Sequence, residues 1–252
     1  MKKVAAQNTK LAGSKLALLI TAALVLSVTG PAWASAGNKP GDGTTVVPPD
    51  GKYHGKTYAE WSGEAVEWAL ELPLEGHPAT DSPDFDITAG QHGNVWFLTG
   101  PLGTVERSGT IPKNKALLIT IANVDASSLE APPFYGATED EQRAIAEFFG
   151  DHIQPASLVC TIDGVPVENL DQYRFTSPQV DFTAPSPWLF GEIGGDGTAV
   201  AVGYYLLVEP LSRGQHTIHF EALFHFDAGE VPEFGPDALD LPVNMTYHLE
   251  VK

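Results

Sequence analysis

From Asn94 onward apolar residues recur at every second position, and this period limits the folds open to the chain more than any other feature. In 215–226 (QHTIHFEALFHF), Ile218, Phe220, Ala222, Phe224 and Phe226 fall on one face, leaving His219, Glu221 and His225 on the other. In 243–251 (VNMTYHLEV), Met245, Tyr247, Leu249 and Val251 alternate with Thr246, His248 and Glu250. Strands are also predicted at 94–99, 103–111, 115–123, 157–162, 172–182 and 198–208, rich in β-branched and aromatic residues and separated by Gly and Pro. Asp163-Gly164 is a hairpin turn pair, because both residues tolerate positive φ. Helical spacing interrupts twice. Thr57 and Glu60 form a capping box, and Trp61, Ala65, Trp68 and Leu72 then recur until Pro73. Thr138 and Glu141 form a second box, with Gly150 expected just past the helix end. Many strands and two helices predict a mainly β fold: an antiparallel β-sandwich, jelly-roll-like, with one N-terminal and one inserted α-helix.

The N-terminus reads as a targeting signal. Lys2, Lys3, Lys10 and Lys15 precede an apolar run from Leu16 to Val28, and Ala32-Trp33-Ala34 or Ala34-Ser35-Ala36 supplies a cleavage site. That run is too short to span a bilayer, which takes about 20 residues. The expected organisation is a signal peptide over 1–34, a flexible Gly/Pro-rich leader over 35–52, and a single β-rich domain over 53–252. Export to the periplasm or the medium follows, with no membrane insertion after cleavage. The signal takes four lysines and no acid from a chain of 14 basic and 32 acidic residues, leaving a net charge of −22. Such an excess opposes binding to nucleic acid, where phosphates demand clustered Lys and Arg. It favours solubility in salt, or attraction of cations. The lone Cys160 excludes an internal disulfide, so the core must hold the fold.

Four ordered blocks carry a resemblance. YAEWSGEAVEWALELP (58–73), GQHGNVWFLTG (90–100), IPKNKALLITIAN (111–123) and DGVPVENLDQYRFTSP (163–178) resemble segments of a group of uncharacterised secreted bacterial proteins. The resemblance covers roughly residues 55 to 225 and implies export and a β-rich fold. It carries over no catalytic residue. Where the group has cysteines before the TIP block and near the GQ segment, this chain has Ser108-Gly109-Thr110 and Gln91-His92, so a disulfide of that pattern is absent.

Several chemical signatures can be set aside. Gly55-Lys56-Thr57 ends like a phosphate loop, but Asp50 stands where the first glycine belongs and no strand precedes it. There is no G-x-S-x-G elbow and no H-E-x-x-H helix. Cys160 alternates with Leu158 and Ile162, which suits a core residue better than a nucleophile. Asn244-Met245-Thr246 matches a glycosylation sequon inside a strand behind a bacterial-type signal, and is disregarded.

Three groups of residues remain as candidates. If 215–226 and 243–251 pair with their aromatic faces inward, opposed residue numbers must sum to an odd value. A register near 469 sets Glu221 opposite His248 and His219 opposite Glu250. His219, Glu221, His225 and His248 then share one face, either as a zinc or copper ligand set or as cross-strand pairs on a solvated face. Phe134 and Tyr135, in a Pro-bounded loop, and Trp188 and Phe190, in another, could stack on sugar rings or plug the ends of the sandwich. Asp81, Asp84 and Asp86 form an oxygen-rich loop without the spacing of a calcium hand. The Trp61/Trp68 stripe reads as core packing. No cofactor is required, zinc and calcium being the two that these residues could hold, and no catalytic set is visible. The leading reading is an exported acidic binding protein for a glycan or another cell-surface component. The alternatives are an exported polysaccharide hydrolase or lyase, metal-dependent or not, and a structural envelope protein.

Overall fold

The computed structural model describes residues 44–80 and 85–252. The signal segment 1–34, the first part of the leader, and Asp81 and Asp84 of the acidic loop lie outside the described residues.

Two mixed five-stranded sheets and two helices make a mainly β fold. The first sheet runs β1 (Val95–Leu98), β3 (Ala116–Ser127), β8 (Gly195–Val208) and β6 (Arg174–Thr176), with β7 (Val180–Ala184) beside β6 on the same edge of β8. The second runs β2 (Gly103–Ile111), β10 (Leu239–Val251), β9 (Gly214–Phe226), β4 (Val159–Ile162) and β5 (Val165–Pro166). Antiparallel pairing, expected throughout, fails at two places. β1 lies parallel to β3, and β2 lies parallel to β10 along its whole length. Parallel neighbours need a crossover rather than a tight turn. Here the chain leaves β1 for the second sheet and returns in β3, so no hairpin could join β1 and β3.

Burial follows the layers. Leu117 to Ile119 and Ala199 to Val208 are buried without alternation, which requires cover on both faces. Helix α1 (Tyr58–Glu71) sets Val66 and Leu70 on Ala199 and Ala201, while α2 (Glu139–Gly150) sets Ala146 on Val202. Neighbouring strand residues point to opposite faces, so the helices cover opposite sides of β8. Phe149 and the following Ile153 also reach Phe226 and Phe224 of β9, so α2 shares its side with the second sheet. One cluster joins Ile119, Leu206 and Val208 of the first sheet to Phe220, Met245 and Tyr247 of the second. The outer face of β9 and β10 stays partly exposed and polar, which preserves their strict alternation.

Both helices start where their caps predict. Thr57 and Thr138 each accept from the backbone N–H three residues on, and Glu60 and Glu141 reach back. Gly150 differs from expectation: it is the last helical residue rather than the one beyond it. Its role is close approach, since a Cβ there would meet Val202 Cγ1 at 2.8 Å. Asp163 and Gly164 have φ of 53° and 78° and turn β4 into β5, as predicted. The end of the expected leader is ordered. Val46 bridges Val208, and Val47 N–H donates to Leu207 O at 2.8 Å, extending the edge of β8 beyond β6.

Candidate functional site

A groove of about 470 Å³ runs along the outer side of α1. That volume lies within the range of small-ligand sites, about 300–1,000 Å³. Its floor follows from the helical period. Trp61, Ala65, Trp68 and Leu72 turn inward, which brings Glu64, Glu67 and Glu71, at spacings of three and four, onto one outer stripe. The two indoles then fix the walls. Trp61 Nε1 donates to Tyr53 O at 3.0 Å, and Trp68 Nε1 donates to Ala89 O at 3.0 Å. These bonds hold the turn carrying His54 and the loop carrying His92 against the helix. Gln91 completes the second wall: its amide donates to Phe97 O at 2.8 Å and accepts from Phe97 N–H at 2.9 Å, in place of a strand partner. Gly90 has φ of 63°, and a Cβ there would lie 2.7 Å from Leu72 Cδ2. Only glycine lets that loop close on the helix.

The groove is acidic with one cation in it. The Lys56 ammonium sits 4.8 Å from the centre of the Trp61 ring and is ion-paired with Glu64. Burial, and then the neighbouring Glu71, push the Glu67 carboxyl above its ordinary value, while His92 and Lys56 oppose the rise. Glu71 accepts from Thr183 N–H at 3.0 Å, which ties the groove to β7. Carboxylates and two imidazoles can hydrogen-bond hydroxyls and amines over a nearly buried apolar floor of Trp61, Trp68 and Phe97. Such a lining repels anions.

The ring loops take mixed positions. Trp188 is 2% exposed and packs on Phe182, so it plugs the space between α1, β7 and β8. Phe134 is also partly buried, against Phe149 and Phe234. Phe190 and Tyr135 remain open at 45% and 47% exposure. Each loop therefore offers one exposed ring, and no ring contact joins the two loops.

On the outer face of the second sheet the parity holds and the register does not. Asn244 faces Glu221 and Thr246 faces His219, a sum of 465, still odd and four short of the expected value. His219 bonds Thr246 Oγ1 and Glu221 Oε1, each at 3.1 Å. His225 pairs with Asp240 at 2.6 Å, and His248 lies opposite Thr217 with Glu106 at 3.9 Å. The four residues share a face; His219 and Glu221 bond each other, while His225 and His248 each turn to a different acid. Among the described residues no three His, Cys, Asp or Glu side chains gather as a metal ligand set. β10 starts at Leu239 rather than near 243, so the β9–β10 connection is shorter than the sequence suggests, and the register slips with it.

Cys160 is buried opposite Phe220, and burial pushes its thiol up to about 12, which suits a core residue. Asp86 is engaged by the Thr88 hydroxyl and N–H at 2.7 and 2.8 Å, in a local turn. Sequence reasoning passed over Glu64, Glu67, Glu71, His54 and His92. The acidic stripe was legible beside the tryptophan stripe; that two loops would wall it was not.

No protein-family description matches the chain, and no curated protein does. A solved structure that matches is the solution structure of amebosin, at 11% identity and a TM-score of 0.18, covering 60% of this chain and 100% of that one. A score that low carries no argument about fold. Among the described residues no helix is long and apolar enough to cross a membrane.

Proposed function

We propose that this is an exported, acidic binding protein whose α1 groove takes a carbohydrate of the cell surface. The observation that supports it is the lining: Trp61, Trp68 and Phe97 stand beside Glu64, Glu67 and Glu71 in a groove of about 470 Å³. Carboxylates accept hydrogen bonds from sugar hydroxyls, and the narrow apolar floor of the groove meets the sugar's C–H groups. Neutral and amine-bearing sugars fit this charge; sulfated and uronic ones do not. Export rests on the lysine-led apolar run and its A-x-A sites. The scaffold is read as a sandwich of jelly-roll-like build, modified by its two parallel pairings.

A glycan array probed with the mature protein tests the reading. The expected result is binding to neutral or amino-sugar glycans, weakened about tenfold or more by Glu67→Gln, the loss of one charged hydrogen bond. No binding to any glycan would overturn it. So would binding that groove variants leave intact and Phe190→Ala or Tyr135→Ala abolishes, since that returns the site to the ring loops.

One observation favours a second reading, a polysaccharide hydrolase. Glu67, held protonated more readily than a free carboxyl, stands one helical turn from Glu71, and a pair of neighbouring carboxyls can serve as general acid and base. Release of reducing ends from a bound glycan, lost in Glu67→Gln with binding retained, would establish it.

A further inference from the structure

Four buried side-chain polar atoms among the described residues have no hydrogen-bond partner, and three of them belong to one neighbourhood: Asp125 Oδ2, Glu130 Oε2 and the Tyr205 hydroxyl. The strand register explains their approach. On the α1 side of the first sheet, Asp125 lies opposite Ala201 and Asn123 lies opposite Gly203. Tyr205 is two residues beyond Gly203 on the same face, and Gly203 leaves its ring room to lean toward Asn123 and Asp125. Glu130 returns to this place through the turn after β3, where Ser127 Oγ accepts its N–H at 3.1 Å. Glu130 is 7% exposed and Tyr205 0% exposed, while Asp125 taken as a whole residue is partly buried. The negative charge of Asp125 acts on both of the others.

A buried orphan oxygen is costly, and proteins rarely carry one without a reason. Here two of the three are carboxylate oxygens, and among the described residues neither carboxylate is ion-paired with Lys, Arg or His. We propose that Asp125 and Glu130, with the Tyr205 hydroxyl beside them, form a buried site for one calcium ion. The donors are all oxygen, which selects a hard cation over zinc or copper. A dication offsets both buried negative charges at once, whereas a monovalent ion leaves one uncompensated. Calcium accepts one- or two-oxygen carboxylate ligation in irregular geometry and fills its remaining positions with water. Magnesium demands a near-ideal octahedron and gives up its water reluctantly. Asp125, the least buried residue of the three, marks the side from which the ion and its water ligands would enter. Without a cation, burial, and for Glu130 the Asp125 charge as well, holds both carboxyls above their ordinary values. The site is separate from the α1 groove, and neither proposal depends on the other.

The test treats the purified protein with EDTA, desalts it, and follows thermal unfolding with calcium chloride or magnesium chloride added. Calcium at about 1 mM should raise the Tm by about 3–8 °C, more than magnesium does, with one equivalent bound. Asp125→Asn and Glu130→Gln should each abolish the rise. Should those variants fail to fold, terbium emission excited through tyrosine reads the site in the unaltered sequence: calcium should quench it and Tyr205→Phe should remove most of it. A wild-type Tm unmoved by calcium overturns the proposal, and if it climbs steadily from pH 7 to 5 instead, the two acids share a proton. A rise that persists in both variants, or terbium emission indifferent to Tyr205→Phe, places the ion elsewhere and overturns it equally.

Discussion

Asn244 lies directly across the β9–β10 pair from Glu221, and its Nδ2–H donates to Glu221 Oε1 at 2.9 Å. This amide occupies the place that the sequence reading gave to His248. Its consequence is that the imidazoles of this face keep separate carboxylate partners, at 3.1 Å for His219, 2.6 Å for His225 and 3.9 Å for His248. The His219 and His248 pairs, only partly exposed, contribute about 0.2–1 kcal/mol each. His248→Ala should therefore change the unfolding free energy by less than about 1 kcal/mol, and added Zn²⁺ should leave the wild-type Tm where it was. A zinc-dependent rise in Tm that this substitution removes would show that the histidines do act together.

Gly150→Ala should destabilise the protein, against the usual gain of about 1 kcal/mol from replacing glycine within a helix. The added Cβ would stand 2.8 Å from Val202 Cγ1 and 3.1 Å from Val202 Cβ, both on a central strand that cannot give way. Overpacking of this sort costs about 1–3 kcal/mol. Urea denaturation of the two proteins gives the sign directly. Val202→Ala should relieve most of the loss in the double variant, since the clash has that one principal partner.

The Asp163–His216 pair sets a pH window. His216 Nδ1 lies 2.7 Å from Asp163 Oδ2, and its Nε2 lies 2.8 Å from Ser212 O. The Asp163 bond, and then the Ser212 carbonyl, raise the His216 value against the pull of burial. Burial pushes the Asp163 carboxyl up, but bonds from His216 and the Thr217 N–H together outweigh it and hold the carboxyl below its ordinary value. For the raised histidine, the stabilisation is complete below about pH 6.5 and is lost as pH rises through the higher folded value. For the lowered aspartate, it is complete above about pH 4 and is lost as pH falls through the lower folded value. The pair should thus contribute most near pH 5. Asp163→Asn keeps a residue that tolerates the φ of 53° at this turn. The Tm gap between wild type and Asp163→Asn should be widest near pH 5 and narrower at pH 8.5; a gap that widens with rising pH would contradict the assignment.

Much of the architecture was legible because it is local. Capping boxes at Thr57 and Thr138 fixed where the helices begin, since Thr, Glu and the orphan N–H groups lie within one turn of chain. Period-two alternation fixed which side chains of β9 and β10 face the core, because that parity belongs to the strand and survives any even slip in register. The turn at Asp163-Gly164 was fixed by two residues that accept positive φ. The stripe of Glu64, Glu67 and Glu71 was equally present in the sequence, as the complement of the tryptophans.

Tertiary structure decided what depends on partners distant in the chain. The parallel pairings of β1 with β3 and β2 with β10 leave no mark on either strand's own pattern, because alternation is the same whichever way a neighbour runs. The four-residue register shift between Glu221 and its partner left every face unchanged and replaced every pair, so parity survived while the expected Glu221–His248 contact did not. Gly150 looked like a helix terminator, and only the packing of α2 on Val202 shows that its missing side chain matters for proximity. The groove exists because Trp61 and Trp68 each bind a carbonyl from a different loop. Asp125, Glu130 and Tyr205 come together because β3 and β8 are paired and Gly203 leaves space between them, a juxtaposition across some 80 positions that no local spacing encodes.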